Sequence, residues 1–179
     1  MPSAPKRGLR RWSISPSGDG MAAAFAIRPA GEADLPAVAA LFRGYARALG
    51  VDLSYQGFER ELATLPGAYA PPAGALLIAV SDEGAPLGCV AVRALGEPGV
   101  CELKRLHTVP AARGAGIGRA LAQAAITAAR QAGYSEIRLD TLPDMLAAQS
   151  LYRRLGFEVI PAYYESPVAG TLFMRKGLG

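Results

Sequence analysis

"VPAARGAGIGRALAQAA", Val109 to Ala125, sets Gly114, Gly116 and Gly118 between Arg113 and Arg119, directly before an alanine-rich run. That run has helical composition, and glycine inside a helix costs about 1 kcal/mol relative to alanine. Three glycines at its start give up local stability for backbone that a ligand can approach closely. The first amides of a helix lack intrahelical partners, and the dipole there is positive. A phosphate fits such a place, and the two arginines add charge. The segment therefore reads as a cradle for phosphate or pyrophosphate, with a plain glycine-rich turn as the alternative.

Two familiar phosphate loops do not fit. A Walker loop needs Gly, four residues, then Gly-Lys-Ser/Thr, and the chain holds no such string. The dinucleotide fingerprint needs a third glycine at position 119, counting from Gly114 and Gly116. That position is arginine. The preceding strand also ends an antiparallel run rather than opening a βαβ unit. Nucleotide hydrolysis and hydride transfer are both disfavoured.

Working outward, "FAIRPA" (25–30) is a short strand. The following segment predicts a helix capped by Asp34, with Pro36 in its first turn and Val38, Leu41, Phe42, Tyr45 and Leu49 at helical spacing, ending at Gly50. "YQGFERELATL" (55–65) predicts a second helix. Two apolar runs flank "SDEGAP" and predict a hairpin, 75–80 with 87–95. "CELKRLHTV" (101–109) is a third antiparallel strand, and the helix after the glycines runs to about residue 132. A strand at 136–142, a helix ending at Gly156, a short strand at 157–160 and a last strand at 171–176 complete the order β-α-α-β-β-β-α-β-α-β-β. The expected class is α/β of the α+β type, with one mixed, mostly antiparallel sheet and helices on both faces.

With 179 residues, half of them apolar, the chain has the composition of one folded domain rather than a disordered one. No apolar run is long enough to span a bilayer. Of the net charge of +4, three units come from Lys6, Arg7, Arg10 and Arg11 set against Asp19. The basic pI thus belongs to residues 1–20, expected to be a disordered tail, and does not argue for a nucleic-acid-binding face on residues 21–179. Arg10-Arg11 lacks the apolar segment of a twin-arginine signal, and Met21 is a candidate start. Cys89 and Cys101 sit in apolar strands, as expected of buried free thiols in a reducing, cytoplasmic setting. With His107 the only histidine, no metal site is expected.

"RGAGIG" after "ELKRLHTVP", together with "AAQSLYRRLGF" (147–157), resembles motifs A and B of the GNAT N-acetyltransferase family, and the element order is similar from Phe25 to the C-terminus. The resemblance implies the GNAT acyl-CoA N-acyltransferase fold for residues 21–179. It implies acetyl-CoA as co-substrate, its pyrophosphate held by Arg113, Gly114, Ala115, Gly116, Ile117, Gly118 and Arg119. The main chain of Leu106, His107 and Thr108 would pair with pantetheine like an added strand. The expected reaction is direct acyl transfer in a ternary complex to a small-molecule or peptide amine. The alternatives are a non-catalytic acyl-CoA-binding regulator and, on tail charge alone, a nucleic-acid module. No nucleic-acid or membrane partner is expected, and a homodimer is compatible with the resemblance.

Acetylation of an amine needs a neutral nitrogen, a donor to the oxyanion and a proton for the departing thiolate. The resemblance makes Tyr152 the proton donor; a core tyrosine between Leu151 and Leu155 is the alternative. It also puts Glu102 at the position of a general base, the alternative being a solvated carboxylate paired with Lys104. A backbone amide near Thr108 is the expected oxyanion donor. Lys104 and Arg105 alternate along the strand, so one can face the cleft, where a cation would favour a carboxylate-bearing acceptor; plain surface charge is the favoured alternative. Asp140 and Thr141 end a strand where the family's sheet splays. Tyr163, Tyr164 and Glu165 lie in a loop that either covers the site or caps the core. Many relatives carry asparagine where this chain has Met145, so a side-chain contact to pantetheine is either lost or supplied by Gln149.

Overall fold

The computed structural model describes residues 24–179, so the predicted tail at 1–20 and the candidate start at Met21 lie outside the described residues. Seven strands form one sheet: β1 (Phe25–Pro29), β2 (Ala75–Ser81), β3 (Pro86–Ala94), β4 (Val100–Thr108), β5 (Glu136–Thr141), β6 (Glu158–Ile160) and β7 (Leu172–Gly177). Their spatial order is β1-β2-β3-β4-β5-β7-β6. Every pairing is antiparallel except β4 with β5, so β4 does open a parallel crossover through the helix at Ile117–Gln131, contrary to the expectation from the antiparallel run before it.

Helices cover both faces. On one, α1 (Leu35–Leu49) and α2 (Phe58–Ala63) bury Val38, Leu41, Phe42 and Phe58 against Ile78, Cys89 and Ala91. On the other, α3 (Ile117–Gln131) and α4 (Leu146–Arg154) pack Ile117, Leu121, Ala125 and Tyr152 against Val90, Leu103, Ile137 and Leu139. These spacings are those of an amphipathic helix. The second helix is shorter than its apolar pattern predicts. Gly57 stands in the left-handed region at φ +69° and separates a 3₁₀ turn, Ser54–Gln56, from α2.

The β3–β4 register holds the feature that shapes the site. Cys89 faces His107 but Ala91 faces Lys104, so β4 contains one extra residue, a β-bulge. Arg105 takes a positive φ of 59° to form it. Strict alternation predicts Lys104 and Arg105 on opposite faces, whereas the bulge turns both toward α1 and α2. Leu106 then rejoins the α3 face, and His107 packs by Tyr45 and Gly44 of α1.

Asp34 precedes α1 as predicted, but its carboxylate caps by a different route. It accepts from the Gly31 amide (2.8 Å) and from Arg28 (2.5 and 2.8 Å). The Arg28 hydrogen bonds, with the Gly31 amide, lower its carboxyl to about 2. A depressed carboxyl stabilises the fold above its unfolded value, and the contribution is lost as pH falls through the folded one. Asp34→Asn is therefore expected to be less stable than the parent at neutral pH. The gap should narrow as pH drops toward 2, as read by urea unfolding across that range.

Candidate active site

β4 and β5 pair only at Val100↔Glu136, Cys101↔Ile137 and Glu102↔Arg138. Beyond Glu102, β4 stays with β3 while β5 stays with β7 as far as Thr141. The β5-facing edge of residues 103–108 therefore has no partner strand among the described residues. Val109 donates its amide to Leu87 of the β3 side (2.9 Å), so by alternation the amides of Thr108 and Leu106 point into the opening. His107 faces β3 there, and its ring lies on the α1 side. Burial, with Arg113 and Arg47, lowers the His107 imidazole below its usual range, favouring the neutral form.

The wedge between the strands is a cleft of about 40 Å³, lined by Lys104, Leu106, Asp140, Thr141, Ala148 and Tyr152. Tyr152 projects from α4 with its ring edge-on to Phe157, at a centroid distance of 5.6 Å. Its hydroxyl makes no hydrogen bond to another described residue. Burial, reinforced by Tyr45 and Asp140, raises its pKa above the ordinary tyrosine range. The phenol thus keeps its proton.

At the mouth of the same opening, Gly114 (φ +85°) and Gly116 (φ +80°) turn the chain into α3. A Cβ at either would meet nothing within 4 Å, so backbone conformation rather than crowding requires glycine. Among the described residues no carbonyl accepts from the amides of Gly114 to Arg119; the first such bond is from Ala120 to Gly116 (3.1 Å). The Arg113 amide is the exception among the predicted contacts, since it already donates to Pro110 (3.2 Å). Arg113 can act there only through its side chain. Both Arg113 and Arg119 are exposed.

Glu102 is not the solvated carboxylate of the alternative reading. It is buried, and its nearest cation is Arg93 rather than Lys104. Arg93 places Nε at 2.9 Å and Nη2 at 2.8 Å from Oε2, and Tyr163 donates to Oε1 at 2.8 Å. Lys104 Nζ lies 3.9 Å from Oε1 and 3.6 Å from Asp140. Beside it Arg105 is clamped by Glu61 (2.6 and 2.9 Å) and stacked over the rings of Tyr45 and Phe58. Tyr69 donates to the same Glu61 (2.7 Å). Tyr163 and Tyr164 pack edge-on against Phe173. Tyr164 and Glu165 also line a second cleft of about 220 Å³, with Gln56, Arg93, Lys104 and Arg105.

Gln149 does not replace the missing asparagine with its amide nitrogen. That nitrogen is turned back to the carbonyls of Leu142 (2.9 Å) and Pro143 (3.1 Å), pinning the turn into α4. Arg93 and Glu61 escape sequence reasoning altogether. Tyr45 counts there only as an apolar helix position. Their one trace is the adjacent Lys104-Arg105 pair inside an alternating strand, the mark of the bulge.

The open edge of a bulged strand thus lines a cleft with a buried tyrosine, and that strand leads into a glycine turn with free amides. Residues 45–157 match the Acetyltransferase (GNAT) family. An uncharacterized N-acetyltransferase of Schizosaccharomyces pombe is 39% identical over 142 residues, covering 79% of this chain and 87% of that one. A GNAT-family acetyltransferase from Staphylococcus aureus superposes with a TM-score of 0.73 at 18% identity, over 87% of this chain and all (100%) of the other. A Salmonella typhimurium protein solved with its cofactor acetyl-CoA gives 0.62 at 22% identity, over 87% and 94%. The chain belongs to the GNAT family and is a GNAT-type N-acetyltransferase.

Proposed function

We propose that the protein transfers an acetyl group from acetyl-CoA directly to a primary amine within a ternary complex. The observation that carries this reading is the buried hydroxyl of Tyr152, without a hydrogen bond among the described residues, beside the edge of β4 that none of them pairs. The free amides of Gly114 to Arg119, with the Arg113 and Arg119 side chains, would hold the pyrophosphate. The inward amides of Leu106 and Thr108 would serve pantetheine and the oxyanion between them, one hydrogen bond each. His107 contributes only backbone.

In the reaction the amine nitrogen bonds to the thioester carbonyl carbon and the carbon–sulfur bond breaks. An ammonium acceptor sheds two protons in all: the thiolate keeps the equivalent of one, delivered by Tyr152, and the other leaves to solvent. Glu102 is an unpromising base, because Arg93 and Tyr163 already donate to both of its carboxylate oxygens. We assign it the role of fixing those two side chains around the acceptor cleft. An acyl-enzyme is disfavoured because burial raises both thiols, Cys101 to about 12 and Cys89 further. Two free, buried thiols also suit a cytoplasmic setting. Among the described residues, no helix is long and apolar enough to cross a membrane.

The test is thiol release from acetyl-CoA with a panel of amines, alongside calorimetric binding of acetyl-CoA. Turnover on at least one amine is expected. Tight binding with no turnover on any would instead favour a regulator. The loop carries its own check. Alanine in the left-handed conformation of Gly116 costs about 1–2 kcal/mol. Gly116→Ala should relax the loop away from the ligand and raise the dissociation constant of acetyl-CoA roughly tenfold, with little change in melting temperature.

A further inference from the structure

Lys104 and Asp140 face each other across the splayed strands, their side chains 6% and 13% exposed. Their charged atoms are 3.6 Å apart, beyond good hydrogen-bonding distance, and no hydrogen bond to either head group appears among the described residues. A buried ammonium has three donors to satisfy, and leaving them unmade is costly. Next to them the Thr141 hydroxyl is buried with no hydrogen-bond partner among the described residues. All three line the cleft that holds Tyr152. The other charged groups nearby are spoken for. Arg105 is clamped by Glu61, and Glu102 accepts from Arg93 and Tyr163.

An ammonium beside a carboxylate, each short of hydrogen bonds, is the complement of a molecule bearing the same two groups on one carbon. Resting on the acetyl-transfer reading above, we propose that the acceptor is a free α-amino acid bound as its zwitterion. Its ammonium sits against Asp140, and its carboxylate takes Lys104 and the Thr141 hydroxyl. Lys104 and Arg105 line both this cleft and the 220 Å³ one, so the larger space lies next to the site for the amino acid's side chain. The carboxylate belongs on the carbon next to the nitrogen because Lys104 lines the same small cleft as Tyr152, the residue assigned to the thioester sulfur. Amines whose negative charge is remote would leave the Lys104 donors unmade.

The experiment compares an α-amino acid with its C-terminal amide and its decarboxylated amine as acceptors, across several side chains. Hydrogen bonds to charged groups predict that at least one amino acid is preferred over its amide by roughly 10- to 100-fold in kcat/KM. In Lys104→Met that preference should collapse toward unity, while calorimetric binding of acetyl-CoA is unchanged. Equal or better use of the amides and decarboxylated amines by the wild-type protein would overturn the inference and leave acetyl transfer standing. So would a Lys104→Met variant that loses activity on both members of a pair equally. Binding of acetyl-CoA with no thiol release on any amine would overturn both together. Should Lys104→Met fail to fold, the wild-type panel decides alone.

Discussion

Tyr152→Phe is expected to lower kcat by roughly 10²- to 10⁴-fold, the usual contribution of a positioned proton donor, with little change in the affinity for acetyl-CoA. The ring fills the same space against Phe157, so packing and the fold should survive. What is lost is one hydroxyl, whose hydrogen-bonding capacity no described neighbour consumes. Burial makes this phenol a weaker acid than usual, so its part is to donate a hydrogen bond as charge builds on sulfur and to release the proton when the bond breaks. Two readouts separate this from a structural effect. The wild-type kcat should show no loss assignable to Tyr152 ionisation up to about pH 10, the ordinary tyrosine value, because the folded value lies higher. An acetyl thioester of a more acidic thiol should recover much of the lost rate, since such a leaving group needs less help. Unchanged kcat at every pH would end the assignment.

Glu61→Ala is expected to destabilise the protein by about 3–5 kcal/mol, the usual penalty for removing one partner of a buried ion pair. For a domain of this size, that is a fall in melting temperature on the order of 10 °C. Arg105 would be left buried with its charge unmatched, held over Tyr45 and Phe58, and Tyr69 would lose the acceptor of its hydroxyl. Glu61→Ala combined with Arg105→Met should recover much of the loss, because it replaces a stranded charge by apolar contact. Burial raises the Glu61 carboxyl, but the hydrogen bonds and charge of Arg105, then Tyr69 and Lys104, outweigh it and leave the group below its usual range. The stabilisation from this pair is therefore present above the unfolded carboxylate value and lost as pH falls through the folded one. A melting temperature within a degree or two of the parent would mean the pair contributes little net energy.

These two residues also mark how far the sequence carries. Tyr152 stands in a motif whose spacing and composition are local, as do the glycines before α3, and the order and type of every element follow from periodicity and turn residues. Glu61 carries no local sign of its role. It meets Arg105 only because α2 crosses the bulge in β4, 44 residues further along the chain. Arg93 and Glu102 are likewise joined only by strand register. The error in α2 came from counting Gly57 as a helix interior residue, when its left-handed backbone ends one turn and starts another. The pairing of Lys104 with Arg105 on one face breaks the alternation rule, and only the fold reveals which residue is the extra one. Asp140 and Thr141 were legible as the end of a strand at a splay. Their lack of hydrogen-bonding partners is a property of the packed cleft.

The extra residue in β4 also makes the length of that strand a coded quantity. Upstream of it, Glu102 and Lys104 look toward α1 and α2 while Cys101 and Leu103 look toward α3 and α4. Downstream, Leu106 and Thr108 belong to the α3 side and His107 to the other. The strand thus runs in two phases, and Arg105 is the shift between them. Deleting Arg105 would restore strict alternation and keep both halves on their faces, but would remove the buried pair with Glu61, whereas deleting a residue elsewhere in the strand with the bulge kept would turn one half onto the wrong face. The turns at 82–85 and 96–99 carry no such phase. Natural or engineered variation in chain length belongs in those turns, and a transplanted acceptor cleft must bring Arg105 and Glu61 with it as one unit.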